Sequence, residues 1–295
     1  MEPLFHTTAK PHVLTDTDSF TALSDVLAPW TEIEDSSDKS AHVNGAKELR
    51  FQNGSDGSRH ISLRKLDNSK IRNEVVMAQR LSHEEEKSFH FILQRYHLLC
   101  NRLVEAARNL NSKIFLITSA LAEEGKTLTC ANLAFALSGI ESARTLLIDL
   151  DLRRYSLHSL LGLSSAEGGE SFLKAADWHN SLWSLRPNLH ALLATEAADQ
   201  PEELLHSNAM HNLLAAAREE YDYVLIDSAP LLLAADTHAL LPQIDQALLV
   251  VRADVTPIAC SQDALKIMGE KAIGCILNDV KRLKYESYYH GYYGT

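Results

Sequence analysis

TSALAEEGKTLTCANLAFAL, residues 118–137, decides how the chain is read. It continues the apolar run KIFLITS (113–119) and passes through Gly125-Lys126-Thr127 into a stretch with helical character. A strand, a loop ending in G-K-T and a helix, in that order, match the close of the pattern G-x-x-x-x-G-K-[ST]. In such a loop the backbone N–H groups and the helix N-terminus point at phosphate oxygens. Gly125, Lys126, Thr127 and Leu128 would line the phosphates of ATP, with Lys126 neutralising the β and γ charges and the Thr127 hydroxyl on Mg²⁺. Two departures stand out. Ala120 takes the place of the first glycine, which is tolerable if its φ is negative, and Glu123 and Glu124 lie inside the loop, where carboxylates repel a triphosphate unless they point outward.

Downstream, short apolar runs alternate with helical stretches. After KIFLITS the candidate strands are ARTLLIDL (143–150), NLHALLA (188–194), YDYVLID (221–227), QALLVVR (246–252) and AIGCILN (272–278); helices are expected over 126–139, 156–162, 201–219 and 257–269. Continuous Val/Ile/Leu strands separated by helices predict an α/β fold, a doubly wound, mostly parallel sheet flanked by helices. Ligands of such sheets bind at the carboxyl ends of the strands. Asp149 and Asp151, two residues apart, end the second run on the same side of an extended chain, and Asp227 ends the fourth. Carboxylates placed there suit Mg²⁺, and one of them can accept a proton. With G-K-T upstream, they predict a Mg-nucleotide site rather than solvated acidic strand ends.

These motifs carry a resemblance. TSALAEEGKT, LLIDLDLRR (146–154) and VLIDSAP (224–230) are similar to the Walker A, A′ and B motifs of the bacterial tyrosine kinases (BY-kinases) of exopolysaccharide and capsule synthesis, within the wider P-loop group of MinD and ParA ATPases. PEELL (201–205) and ILND (276–279) also fit, and the resemblance covers roughly residues 80–295. It implies an ATP- and Mg²⁺-dependent protein-tyrosine kinase. Lys126 and Thr127 would grip phosphate and metal, Asp149 would activate the tyrosine hydroxyl, Asp149, Asp151 and Asp227 would help hold Mg²⁺, and Asn278 would contact adenine. It also implies a membrane partner, the cytoplasmic tail of a polysaccharide co-polymerase, and a homo-oligomer that phosphorylates in trans. The sequence departs from the family at EEEKSFHFILQRY (84–96), where His90 and Leu93 replace the arginines of an assembly pattern, and at Tyr155, which replaces a proline.

The chain ends KRLKYESYYHGYYGT, with Tyr285, Tyr288, Tyr289, Tyr292 and Tyr293 in a stretch lacking any apolar period. A phenol near pKa 10 is a poor nucleophile at neutral pH and needs a positioned base. By the same resemblance this flexible tail (281–295) is the phosphoacceptor segment. Two other readings stay open: an ATPase switch of the MinD/ParA class, which usually carries a second loop lysine where this chain has Leu121, and a catalytically weak regulator of polysaccharide assembly.

The rest of the chain sets boundaries. Its 295 residues carry Lys+Arg 28 against Asp+Glu 39, a formal net charge of -11, which argues against general nucleic-acid binding. No apolar run reaches the roughly 20 residues of a membrane span, and the start lacks the layout of a signal peptide. A cytoplasmic protein is expected, recruited to the inner face of the plasma membrane by its partner. Residues 1–72, rich in Ser, Asp, Asn and Gly, read as a disordered or loosely structured extension. Residues 73–112 read as a helical lead-in, 113–280 as the P-loop domain. Four scattered cysteines suggest neither zinc nor disulfides, and three read as core residues. The histidines read as surface residues, Trp178 and Trp183 as flanking a surface loop, and Arg153 and Arg154 as pairing with phosphate or with acidic neighbours.

Overall fold

The computed structural model describes residues 50–51, 59–60, 64–65, 71–72, 75, 83–163, 172, 177–194 and 196–280. All of these fall within one compact unit, Ala46–Thr295. In chain order its elements are β1 (Arg50–Phe51), β2 (Arg59–His60), β3 (Arg64–Lys65), α1 (His83–Leu110), β4 (Ile114–Ser119), α2 (Lys126–Leu137), β5 (Thr145–Leu150) and α3 (Leu157–Leu160). They continue with β6 (Trp183–Arg186), β7 (Leu189–Leu192), α4 (Pro201–Leu205), α5 (Asn208–Glu220), β8 (Tyr223–Ser228), α6 (Ala235–Leu240), β9 (Gln246–Arg252), α7 (Ile258–Met268) and β10 (Ala272–Asn278).

The main sheet runs β10-β9-β4-β8-β5-β7-β6-β3, and β1 pairs with β2 apart from it. Every pairing in the main sheet is parallel except β6 with β7. The three central strands β4, β8 and β5 are buried at every position, which is why they read as unbroken apolar runs. Alternate residues feed two cores. Phe115, Ile117, Leu147 and Leu225 pack with α1 and α2 on one face; Leu116, Ile148, Val224 and Ile226 pack with α5, α6 and α7 on the other. The helix α2 is apolar around nearly its whole circumference because it is buried over most of its length.

Each of the six expected strands is present in the mostly parallel sheet. Several expectations need correction. The helix expected over 201–219 is two helices, α4 and α5, because Ser207 caps the second: its Oγ accepts from the Met210 N–H at 3.2 Å. Trp183 is not beside a surface loop but on β6, which folds back onto β7 in an antiparallel pair and buries the indole. Most of the extension expected over 1–72 lies outside the described residues, but its C-terminal part is ordered. Arg64–Lys65 joins the sheet beside β6, and Ile71 enters the core. Of the cysteines, Cys100 and Cys130 are buried, whereas Cys275 is exposed.

Two histidines do structural work that a surface assignment missed. His190 is buried and its Nδ1 lies 2.8 Å from the Tyr221 hydroxyl; burial, with Arg144 nearby, lowers its pKa to about 4. His179, in the 3-10 turn Trp178–Ser181, sits with Nδ1 2.6 Å from Asp177 and Nε2 3.1 Å from Glu220 at the end of α5. Burial works against its charge, but the bonds to Glu220 and Asp177 outweigh burial and raise its pKa above 6.5. A raised folded pKa means stability that is complete below the unfolded value and lost as pH rises through the folded one. In urea titrations between about pH 5 and pH 8, His179→Gln should therefore lose about 1 kcal/mol at the acid end and less at the alkaline end. An equal loss throughout would show that the imidazolium contributes nothing.

Candidate nucleotide and phosphoryl-transfer site

Because β4, β8 and β5 are neighbours, the segments leaving their carboxyl ends lie side by side. The loop after β4 is fastened at its start by the Leu231 N–H, which donates to the Ser119 carbonyl at 2.7 Å. Ala120 is fully buried and is not among the residues with positive φ, so the missing glycine imposes no strain there. At the other end Gly125 caps α2 with φ 87°. That φ is one L side chains rarely adopt, and a Cβ there would stand 2.0 Å from Asn278 Nδ2 and displace its amide, so glycine is strongly favoured. Leu128 lies in the first turn of α2, where its carbonyl accepts from Asn132 Nδ2 at 3.1 Å.

Lys126 reaches back across the loop into a set of carboxylates. Its Nζ lies 2.7 Å from Asp151 Oδ2, 3.9 Å from Asp227 Oδ1 and 3.3 Å from Thr127 Oγ1, with 11% of its side chain exposed. Burial disfavours its charge, but Asp227 and Asp151 more than offset this and raise its pKa. Asp149 and Asp227 are paired across β5 and β8 in register, both fully buried. Asp149 accepts from the Asp151 N–H at 3.2 Å and the Leu157 N–H at 3.3 Å. Burial first, then the charges of Asp227 and Asp151, push its pKa well above that of a free aspartate. Burial also raises Asp227, to about 6, with Lys126 opposing.

Both Asp227 oxygens are buried without a hydrogen-bond partner. Unsatisfied carboxylate oxygens beside a second buried carboxylate call for a cation. Among the described residues no three His, Cys, Asp or Glu side chains converge as a ligand set. Mg²⁺ needs no such set, because it keeps several waters and takes one or two carboxylates together with substrate phosphate. The Thr127 hydroxyl, 3.3 Å from Ser156 Oγ, and Asp227 fit this ion, with Asp149 next to them. Asp151, expected among the metal ligands, is bonded to Lys126.

Other expected residues fall as follows. Asn278 ends β10 and donates from Nδ2 to the Glu124 carbonyl at 3.0 Å, so it braces the loop. Arg153 is taken up by the buried Asp236, with three contacts of 3.1 to 3.2 Å. Arg154 lies 3.9 Å from Glu123, both largely exposed. The two loop glutamates behave differently: Glu123, at φ 64°, turns its side chain out to 79% exposure, whereas Glu124 is 3% exposed. The partnership of Glu124 with Thr256 is not legible in the sequence, since 132 positions separate them and no local pattern joins them. The tyrosines Tyr285, Tyr288, Tyr289, Tyr292 and Tyr293 lie outside the described residues. Among the described residues no helix is long and apolar enough to cross a membrane.

No family model matches the chain. It is similar to the tyrosine-protein kinase YwqD of Bacillus subtilis (strain 168), 31% identical over 241 residues that cover 80% of this chain and 97% of YwqD. It is also similar to the succinoglycan biosynthesis transport protein ExoP of Rhizobium meliloti (strain 1021), 34% identical over 189 residues, but these cover 61% of this chain and only 24% of ExoP. Among solved structures, the kinase domain of the Escherichia coli tyrosine kinase ETK superposes with a TM-score of 0.59 at 27% identity, over 65% of this chain and 77% of that one. A match spanning nearly all of YwqD, on a kinase fold and around a lysine set among buried aspartates, is decisive: the chain belongs to the bacterial tyrosine-protein kinases.

Proposed function

We propose that this kinase transfers the γ-phosphoryl group of ATP to the tyrosines of its own C-terminal tail, Tyr285, Tyr288, Tyr289, Tyr292 and Tyr293, in a neighbouring copy. The observation that carries the chemistry is the meeting of Lys126 with Asp149, Asp151 and Asp227 in front of a phosphate-binding loop. The loop N–H groups and Lys126 would hold the phosphates; Mg²⁺, on Thr127 and Asp227, would supply charge compensation as negative charge moves to the leaving group. Asp149 is the general base. Its raised pKa brings proton affinity closer to the working pH, so it can take the phenolic proton as the tyrosine oxygen bonds to Pγ and the bond from Pγ to the β-phosphate oxygen breaks. ADP and phosphotyrosine are the products. Similarity to ExoP, named for succinoglycan biosynthesis, supports a place in exopolysaccharide production, with a membrane-borne co-polymerase as activator and anchor.

Incubation of the full chain with Mg-ATP should give an anti-phosphotyrosine signal that disappears in a chain ending at Lys284, with ATP hydrolysis persisting. Signal undiminished by that truncation would move the acceptor elsewhere. ATP hydrolysis with no phosphotyrosine in the full chain would favour the ATPase-switch reading.

A further inference from the structure

Glu124 is an acidic residue inside a loop built to receive polyphosphate, and its side chain is buried. Its carboxylate faces the protein. The Leu121 N–H donates to Oε2 at 2.6 Å, and the Thr256 hydroxyl donates to Oε1. The same residue's carbonyl accepts from Asn278 Nδ2 at 3.0 Å. Glu124 is thus tied to its own loop three residues back, to the turn between β9 and α7, and to the end of β10.

Thr256 is itself fixed. Its Oγ1 accepts from the Arg252 N–H at 3.1 Å and its own N–H donates to the Arg252 carbonyl at 3.0 Å, which locks the turn onto the end of β9. The neighbouring edge is closed by the Ala253 N–H on the Asn278 carbonyl at 2.9 Å. The next residue after Glu124 is Gly125, in the left-handed conformation that starts α2, and then Lys126. The direction of the backbone N–H groups at the helix start and of the Lys126 side chain therefore depends on where residue 124 is held.

We propose that Glu124, buried, and the half-buried Thr256 form a clamp that presets the phosphate loop for nucleotide, with Glu124 a positioning residue that does not touch substrate. This rests on the nucleotide-site reading above. The carboxylate occupies one loop N–H and one hydroxyl, so the remaining N–H groups are free to turn toward phosphate without first reorganising. A carboxylate in this loop would ordinarily repel a triphosphate. Here its negative charge is engaged by donors on the side away from the ligand, so removing it should weaken nucleotide binding, the opposite of what relief of repulsion predicts.

The test compares the full-length wild type with Glu124→Ala, Glu124→Gln, Thr256→Val and the double variant Glu124→Ala/Thr256→Val, titrated with Mg-ADP by calorimetry and assayed for the KM for ATP and kcat. The clamp predicts that Glu124→Ala and Thr256→Val each raise Kd and KM by about tenfold with a smaller change in kcat. The double variant should lose less than the sum of the two singles, since both break the Glu124–Thr256 bond while each also breaks one of its own, the Leu121 N–H on Glu124 or the Arg252 N–H on Thr256. Glu124→Gln, which keeps an acceptor oxygen, should fall between wild type and Glu124→Ala. Tighter Mg-ADP binding in Glu124→Ala or Glu124→Gln would overturn the clamp, as would unchanged Kd in Thr256→Val, which nearly preserves side-chain shape and removes only the hydroxyl. Additive losses in the double variant would likewise overturn it. Failure of the wild type to bind Mg-ADP would refute the nucleotide site and the clamp together, whereas a wild type that binds alongside variants that bind equally well refutes the clamp alone.

Discussion

Lys126→Met should abolish detectable tyrosine phosphorylation, a fall of about 10²–10³-fold or more, the range for loss of one preorganised charge donor at a phosphoryl or oxyanion site. Lys126 is the cation that the structure places within 4 Å of both Asp151 and Asp227. Methionine is unbranched and one atom shorter than lysine, and lacks its charge, so the effect reports electrostatics more than packing. Stability should change too. With the ammonium gone, Asp149, Asp151 and Asp227 are three carboxylates, all at 1% exposure or less, that repel one another without a cation between them. Stranding a buried charge costs about 3–5 kcal/mol, unless the carboxylates bind protons instead. The variant should therefore unfold at lower urea than wild type, and the gap should narrow at acid pH, where protonation relieves the repulsion. Anti-phosphotyrosine blots and urea curves at two pH values check both halves; undiminished phosphorylation would remove Lys126 from the chemistry.

Asp149→Asn should separate activity from stability in opposite directions. If Asp149 is the base, kcat should fall by about 10²–10⁴-fold, because an amide cannot accept the phenolic proton. The same change removes one of two fully buried carboxylates facing each other across β5 and β8. The repulsion and burial that raise the Asp149 pKa also destabilise its charged form in the folded state. The sign follows from proton uptake: a carboxylate whose folded pKa is raised costs nothing below its unfolded pKa and progressively more as pH rises through the folded one. Asparagine keeps one acceptor oxygen for the Asp151 or Leu157 N–H while escaping that cost. Without nucleotide the variant should melt at or above the wild-type temperature at pH 8, the two converging near pH 4. A variant that is both inactive and less stable at pH 8 would show that Asp149 supports the fold chiefly through its hydrogen bonds.

The parts of the molecule legible in the sequence are those where one physical demand acts alone. The central strands are buried on both faces, so they appear as apolar runs, and their terminal aspartates mark where burial gives way to chemistry. β6 was missed because it is four residues long and half-buried, and its alternation Trp-Ser-Leu-Arg is too short to show a period; the Pro187-Asn188 pair that turns it onto β7 was the available signal. The break between α4 and α5 had a signal as well, the cap at Ser207, hidden inside a stretch of helix-forming residues. For Glu124 the sequence leaves the orientation open: it shows a carboxylate in the loop, and only the fold shows that its oxygens are taken by Leu121 and Thr256.

The clamp on the phosphate loop has a consequence for how the protein is made. Its fastenings come from 132 and 154 positions further along the chain, at Thr256 and Asn278. A ribosome releases the loop sequence long before it releases either partner. A nascent chain that has exposed Gly125-Lys126-Thr127 thus possesses the motif and lacks the finished receptor, which is completed only as β10 docks. Ligand competence should arrive late during synthesis, so that truncated products left by stalled translation should bind ATP weakly and phosphorylate their neighbours poorly.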